Sequence, residues 1–515
     1  MKEEMVEGIT SGEMAALDEN CKFFGLSPLQ LMENAGAGIA NEIKKRFERE
    51  EGKVKITIIA GKGNNGGDAF AAARHLHGFD VEILLIGRSK DLRTEEARRN
   101  WRILKASGYE TKEITDSSEL KARETALFAD SEVIMDAIFG TGVRGKIREP
   151  EATAIDLINM AKDAFIVAVD IPSGLDPDTG EAEKAVRANL TVTFHKPKKG
   201  LLKRDAKKYV GELVVANIGI PDTMERLAGP GDIRMVEKRK PGSHKGDNGR
   251  VLIVGGGPFF GAPTLAALGA LRAGADWVTI AVPKSVSSVI SSLSPNLIVQ
   301  PLNSEILVEE DVPEVLSLIK KHDVVVIGMG LGEAEETKRA TKLIIEDDAS
   351  KRVVVDADGF YGLHLPIQTL KNKLVIITPH AGEFSKMELG VKSKERRVKV
   401  PPEDMMEERI NFVKDFSKLN KIVTLMKGPT DIISDGTRVK INRKGNAGMT
   451  VGGTGDVLAG ITGAFFAIAD DPFKVATAAA FVNGAAGDLA FEEKGYGLLA
   501  TDVMENIPKI IKNFK

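Results

Sequence analysis

At 515 residues the chain is too long for one hydrophobic core, so two or more domains are expected. A hydrophobic content of 43%, a charged content of 28% and a net charge of −3 fit a globular enzyme and exclude a global positive field for nucleic acid or anionic membrane. Cys21 is the only cysteine, which excludes an intramolecular disulfide or a multi-thiolate metal site and suits a reducing cytoplasm.

The chain opens on an acidic stretch, residues 1–12, without the apolar core of a signal peptide, and no run of ~18 apolar residues follows to cross a membrane. Residues 27–47 read as a helix, with Ser27 as N-cap and Pro28 at the first helical position. From residue 54, apolar runs at 54–60, 81–86, 133–138, 165–171, 190–194 and 212–215 read as buried strands of a parallel sheet, with helices such as 69–77 and 94–106 between them. Residues 220–249 interrupt this pattern with Pro221, Pro230, Pro241 and the cluster Lys238-Arg239-Lys240, and mark a domain junction. A second series follows, with strands at 251–254, 278–282, 324–327, 353–355, 374–377 and 422–427 and alanine-rich helices at 263–274 and 473–493. The expected fold class is α/β, two domains in tandem.

Two glycine-rich turns close on an aspartate. The first is Gly61-Lys62-Gly63-Asn64-Asn65-Gly66-Gly67-Asp68, after the first strand. It satisfies the dinucleotide fingerprint G-x-G-x-x-G, but the second strand ends in Gly87-Arg88 rather than in an acidic residue for a ribose, which argues against an ordinary dehydrogenase. Asn-Gly pairs also make plain turns. Asp136 and Asp170 end two further strands and lead into Gly140-Thr141-Gly142-Val143-Arg144-Gly145 and Ile171-Pro172-Ser173-Gly174. Either aspartate could be a simple helix cap. Together, three polar strand ends point to one crevice beyond the carboxyl edge of the sheet. The oxygen groups of Asn65, Asp136 and Ser173 form a hard ligand set for an alkali or alkaline-earth cation, and Asp170 is the candidate acid/base residue.

The second turn, Gly452-Gly453-Thr454-Gly455-Asp456, opens a helix at 457–467. Its glycines suit an anion hole, and Asp456 in the first turn is placed to deprotonate a hydroxyl that attacks a terminal phosphoryl group. The same aspartate could instead stabilise the helix N-terminus alone. Lys427-Gly428-Pro429-Thr430-Asp431 ends one strand and starts the next, so its Lys and Thr are candidates to hold nucleotide phosphate. Gly328-Met329-Gly330-Leu331-Gly332 and Pro379-His380-Ala381-Gly382-Glu383-Phe384 follow strands in the same way, and His380 is read as functional rather than as a core histidine. Asp356 and Asp358 are given no catalytic role, Asp358 serving as a possible cap of the next turn.

These strings, in this order, resemble the bifunctional NAD(P)H-hydrate repair enzyme family, in which an epimerase domain is fused to an ADP/ATP-dependent dehydratase. The first half is similar to the epimerase through Leu31-Met32-Glu33-Asn34-Ala35-Gly36, the first glycine turn and the strings after Asp136 and Asp170. The second half is similar to the ribokinase-like dehydratase through Ser243-His244-Lys245-Gly246-Asp247, the strings at Gly330, His380 and Lys427, and the second glycine turn. The resemblance implies a Rossmann-like epimerase over 1–222 and a ribokinase-like dehydratase over 223–515. It implies NADHX and NADPHX as substrates, ADP or ATP with Mg²⁺ in the dehydratase, and K⁺ on Asn65, Asp136 and Ser173. Epimerase substrate would be held by Asn64, Asn65, Gly66, Gly67, Asp68, Gly140, Thr141, Gly142, Val143, Arg144, Gly145, Lys146 and Asp170. Dehydratase substrate would meet Ala262, Gly330, His380 and Asp456. Nucleotide would meet Lys427, Gly428, Pro429, Thr430 and Asp431, together with Asn446, Ala447, Gly448, Met449, Thr450, Val451, Gly452, Gly453, Thr454 and Gly455. Asp170 and Asp456 would be catalytic. A cytoplasmic homo-oligomer with no nucleic-acid or membrane partner is expected.

The sequence departs from the family's pattern at Gly255-Gly256-Gly257-Pro258-Phe259-Phe260-Gly261-Ala262 and at Val451, and Phe259 and Phe260 read equally as a stacking surface or as cover for an apolar seam. Two rivals stand beside this reading: a ribokinase-like small-molecule kinase, and a first domain that binds a dinucleotide without turning it over.

Overall fold

A computed structural model of the chain describes residues 8–47, 53–122, 131–142, 145–236, 239, 241–363, 372–387 and 399–514. They form two compact units that meet in sequence at Asp222 and Thr223.

The first unit is a sheet of seven parallel strands, β1 (Lys55–Ala60), β2 (Asp80–Ile86), β3 (Glu110–Ile114), β4 (Val133–Ala137), β5 (Phe165–Val169), β6 (Leu190–Phe194) and β7 (Glu212–Ala216), in the order 3-2-1-4-5-6-7. The central strands β1, β4 and β5 are almost wholly buried, as apolar runs covered on both faces require. The strand order reverses between β1 and β4, which opens a crevice at their carboxyl ends.

The second unit is a nine-stranded sheet, β8 (Arg250–Val254), β9 (Trp277–Val282), β10 (Ile298–Pro301), β11 (Val324–Ile327), β12 (Arg352–Val355), β13 (Leu374–Ile377), β14 (Val423–Met426), β15 (Asp431–Ser434) and β16 (Val439–Asn442). Its order is 10-9-8-11-12-13-14-15-16, parallel as far as β14 and antiparallel through the last two pairings. The reversal point lies between β8 and β11. One core contains Ala266, Phe465 and Phe481 from the helices Gly261–Ala273, Thr454–Ile468 and Pro472–Lys494. A second contains Val315, Ile344 and Val413 from the helices Val312–Ile319, Glu335–Glu346 and Met406–Asn420. A Cβ at Gly460 would stand 1.9 Å from the Ala266 carbonyl oxygen, so glycine there lets two helices cross at backbone distance.

Three features differ from the sequence reading. The edge strands β3, β10 and β16 have no separate place in it: β3 carries Glu110, Lys112 and Glu113, the charged pattern of an edge rather than the apolar run of a core strand. The helix expected at 69–77 begins at Asn64, so Asn64, Asn65, Gly66, Gly67 and Asp68 are its first turn and not a free loop. A Cβ at Gly66 would stand 2.1 Å from the Gly61 carbonyl oxygen, so that glycine is required by packing. The junction read at 220–249 is in large part folded: the helix Pro230–Val236 buries Ile233 and Val236 in the second unit's core. Lys238 and Lys240 of its basic cluster lie outside the described residues.

Candidate active sites

At the carboxyl edge of the first sheet, Asp136, the penultimate residue of β4, is fully buried. Its Oδ2 accepts from the Ser173 amide at 2.7 Å and its Oδ1 from the Ser173 hydroxyl at 2.6 Å. The Phe139 amide donates to Ser173 Oγ at 2.9 Å, and Asn65 Nδ2 donates to the Phe139 carbonyl at 2.9 Å. Asn65, Asp136 and Ser173 are therefore brought together, all buried. Burial pushes the Asp136 carboxyl up to about 6, against the Ser173 bonds that favour its charge. A buried carboxylate among amide and hydroxyl oxygens, without sulfur or imidazole, fits a hard cation. A hollow of about 490 Å³ opens alongside, lined by Phe139, Gly140, Gly145, Ile147, Gly174 and Leu175 among others. Gly145 and Lys146 are exposed at its rim and Asn64 is exposed at the helix start, whereas Val143 and Arg144 lie outside the described residues.

Asp170 follows β5 with φ of +63°, a left-handed conformation rarely adopted without surrounding constraint. Its Oδ1 accepts from Lys198 Nζ at 2.5 Å and from the Thr193 hydroxyl at 3.0 Å. Lys198 is only 1% exposed. Asp68 lies within electrostatic range of Asp170, Asp18 and Lys198; burial first, then the two carboxylates, holds its own carboxyl well above the usual range. Lys198, Thr193 and Asp18 were not found in the sequence. Lys198 stands in the basic run Lys196-Pro197-Lys198-Lys199, which has the composition of a solvated surface.

In the second unit the helix Thr454–Ile468 begins at Gly453, whose φ is +100°. A Cβ at Gly455 would stand 3.2 Å from Lys427 Nζ, which places Lys427 at the helix N-terminus. Lys427 Nζ donates to Asp356 Oδ1 at 2.8 Å and lies 3.7 Å from Glu383. Burial works against this ammonium, and Asp356 and Glu383 more than offset it, raising its pKa. Asp456 is pushed up to about 7, by burial first and then by the Asp356 carboxylate, against the pull of Lys427. Asp356 and Glu383, absent from the residue set drawn from sequence, are thus part of the site. The signal is present in the aspartate that directly follows β12 and in the glutamate three residues after His380.

His380 caps the helix Ala381–Lys386, its Nδ1 accepting from the amides of Gly382 and Glu383. The ring is 57% exposed beside a hollow of about 150 Å³ that Glu333, Asp358, Tyr361 and Glu383 also line. Gly330 packs under Phe259, where a Cβ would stand 2.1 Å from the Phe259 carbonyl oxygen. Phe259 and Phe260 are 65% and 44% exposed, and Ala262 is the second residue of the following helix, Gly261–Ala273. Gly428 to Asp431 form the β14–β15 turn. There Asp431 spends one oxygen on the Gly428 amide and the other on Asn442, so its carboxylate shapes the turn. Asn446 accepts from the Gly448 amide and donates to the Gly487 carbonyl and Asp488, and Met449 packs against the core. The side chains of Asn446 and Met449 therefore anchor the loop that runs through Ala447, Gly448, Thr450 and Val451 to Gly452. Thr454 turns its hydroxyl back to the Met449 carbonyl, at 2.9 Å. Among the described residues no group of three or more His, Cys, Asp or Glu forms a metal site.

Residues 28–200 match the sequence model of the YjeF-related protein N-terminus, and residues 251–509 that of NAD(P)H-hydrate dehydratase. The chain is 48% identical over 510 residues to the bifunctional NAD(P)H-hydrate repair enzyme Nnr of Archaeoglobus fulgidus, covering 99% of this chain and 100% of that protein. It is 43% identical to the protein of the same name from Pyrobaculum aerophilum, covering 99% of each. Among solved structures it is similar to the ADP/ATP-dependent NAD(P)H-hydrate dehydratase of Bacillus subtilis crystallised with ATP and Mg²⁺, at 24% identity and a TM-score of 0.46 over 56% of this chain and 98% of that one.

Proposed function

The chain belongs to the bifunctional NAD(P)H-hydrate repair enzyme family, and on that premise we propose that residues 1–222 carry the epimerase and residues 223–515 the nucleotide-dependent dehydratase. The chain interconverts the R and S forms of NADHX and NADPHX and returns the S form to NADH or NADPH, consuming ADP or ATP. What carries this reading is the presence in one chain of two differently equipped strand-end sites. One is an aspartate paired with a buried lysine near an all-oxygen cluster; the other is an aspartate beside a lysine at a helix N-terminus.

In the epimerase, Asp170 takes the proton of the hydroxyl on the hydrated carbon. That carbon's oxygen becomes a carbonyl as the ring C–N bond opens, its electron pair passing to the nitrogen and the conjugated carboxamide. Reclosure on the opposite face, with return of the proton, gives the other epimer. The first turn of the helix Asn64–His75 and the 140–146 loop hold the dinucleotide. Asn65, Asp136 and Ser173 would hold K⁺, which supplies fixed positive charge near the substrate phosphates.

In the dehydratase, Asp456 takes the proton of the same hydroxyl and the terminal phosphoryl group of the nucleotide passes to its oxygen. Phosphate then leaves with its bonding pair, and loss of a proton from the adjacent ring carbon restores the dihydronicotinamide. Lys427 and the amides from Gly452 to Gly455 hold the nucleotide phosphates. The carboxylates of Asp358 and Glu383 line the adjoining hollow and suit a Mg²⁺ that arrives with the phosphates and neutralises them, as that ion ordinarily does, rather than one held in a protein cage. Phe259 and Phe260, exposed beside Gly330, offer a ring-stacking surface for substrate.

The apolar side chains Val289, Leu293 and Ile298, exposed along one edge of the second sheet, support assembly into a homo-oligomer. The single buried cysteine supports a cytoplasmic setting. Among the described residues no helix is long and apolar enough to cross a membrane. The test is recovery of NADH absorbance from an R/S mixture of NADHX with Mg²⁺ and either nucleotide. Complete recovery, faster than spontaneous epimerisation allows, is expected. Recovery that stops at the S fraction would remove the epimerase, and none with either nucleotide would favour a small-molecule kinase.

A further inference from the structure

Lys198 is an expensive residue to bury. Its side chain is 1% exposed, and all three ammonium protons have acceptors: Asp170 Oδ1 at 2.5 Å, Thr193 Oγ1 at 3.2 Å and the Phe194 carbonyl at 3.2 Å. A buried ion pair is weak support for stability, since apolar side chains of similar volume commonly replace one without loss. The pair also sits where charge is crowded. Asp68 faces it from the helix Asn64–His75 and Asp18 from the helix Ser11–Phe23, with His195 close by on the segment after β6. Lys198 and Thr193 both bind Oδ1 of Asp170; among the described residues nothing donates to Oδ2.

We propose that Lys198 is the positioning residue of the epimerase. Together with the Thr193 hydroxyl it fixes Oδ1 of Asp170, so that Oδ2 is the atom that takes and returns the substrate proton. The ammonium has a second effect. It sets a positive charge against a carboxylate that has Asp18 and Asp68 close by, so its removal should weaken the rate most at low pH. The inference rests on the reading of Asp170 as the acid/base residue.

The test is the pH profile of R/S interconversion of NADHX by the full chain, with dehydration of S-NADHX as the internal control. Lys198→Met is expected to lower kcat of epimerisation about 100-fold and to move the acid limb to higher pH by about one unit or more, with little change in KM. Lys198→Arg keeps the charge and is expected to restore the native acid limb. Thr193→Val removes one hydroxyl isosterically and is expected to lower kcat about fivefold in the same direction. Binding of NADHX by calorimetry reports whether the Lys198→Met site is intact; if it binds nothing, the Arg and Val variants decide. An acid limb unmoved in Lys198→Met, or native rates in Thr193→Val with a shifted limb in Lys198→Arg, would overturn the proposal. Asp170→Asn separates the two levels: retained epimerisation in that variant removes the reading of Asp170 itself, whatever Lys198 does.

Discussion

Asp170 stands just beyond a strand at the reversal region of the first sheet, with one oxygen fixed by a buried ammonium 2.5 Å away. Asp456 stands in the first turn of a fifteen-residue helix, and the ammonium nearest to it, that of Lys427, hydrogen-bonds to Asp356 instead. The first site thus sets an ammonium directly on its aspartate, with Asp18 and Asp68 as further carboxylates nearby. The second gathers Asp356, Asp358, Glu383 and Asp456 around a single lysine, which leaves much of the neutralisation to what binds there. That difference matches the two chemistries: a proton shuttled on one substrate needs a permanent partner, whereas a phosphoryl transfer brings its own cation and its own anion.

The largest test of this contrast exchanges one carboxylate at a time. Asp456→Asn should lower dehydration of S-NADHX about 10³-fold and leave epimerisation of the R form at the native rate. Asp170→Asn should do the reverse. Separate assays of R/S interconversion and of NADH recovery read both numbers from the same preparation. If either substitution slowed both activities alike, the two sites would not be independent.

What the sequence reveals of these sites follows from how each part is held. Glycine strings and aspartates at the ends of apolar runs are local, so Asp136, Asp170, Ser173 and Asp456 could be read directly, as could the parallel sheets behind them. Partners from distant elements could not. Lys198 reaches Asp170 across 28 residues and Lys427 reaches Asp356 across 71. Lys198 looks like surface charge until the fold buries it, and Lys427, legible as a phosphate ligand, gives no sign in the sequence of its pairing with Asp356. The edge strand β3 was illegible for the opposite reason: its exposed charges conceal a pairing whose energy lies largely in the backbone ladder. His380 reads as functional from its exposed strand-end loop; what the sequence conceals is that its Nδ1 also caps the next helix while the ring lines the hollow.

A second test sharpens the contrast at the lysines. Lys427→Met leaves Asp356, 2% exposed, without its ammonium, and removes the group set against the nucleotide. Stripping one partner from a buried pair costs about 3 kcal/mol, so the second unit's urea midpoint should fall, and dehydration should slow about 100-fold. Epimerisation should not change. A variant with full nucleotide affinity would contradict the placement of Lys427 at the phosphates.

The all-oxygen cluster of the first unit gives a smaller effect. On the proposed assignment of K⁺ to Asn65, Asp136 and Ser173, exchanging the K⁺ of the assay for the much bulkier tetramethylammonium should slow epimerisation about tenfold and leave the Asp456 chemistry untouched. Asn65→Ala should then make the epimerase insensitive to the change of salt.

The smallest effect comes from pH, and it has opposite signs for activity and stability. Asp456 titrates near 7 in the folded chain and near the ordinary 3.8 when unfolded, because burial and Asp356 disfavour its charge. As a base it must be ionised, so kcat/KM for the nucleotide, which reports the free enzyme, should fall severalfold between about pH 7.5 and 6.5, while epimerisation does not follow that limb. In stability the raised carboxyl works the other way. The folded chain holds the proton more tightly than the unfolded one, so this contribution is fully present below about pH 4 and is lost as pH rises through about 7. Asp456→Asn carries no such penalty. Its unfolding free energy from urea titration should equal the native one in acid and exceed it by about 1–2 kcal/mol above neutrality, a figure reduced from the full shift because the carboxyl is partly solvated. A site that is weakened by the charge it needs for catalysis, and relieved by the cation that arrives with its nucleotide, should therefore lose most of that stability difference when Mg²⁺ and ADP are bound.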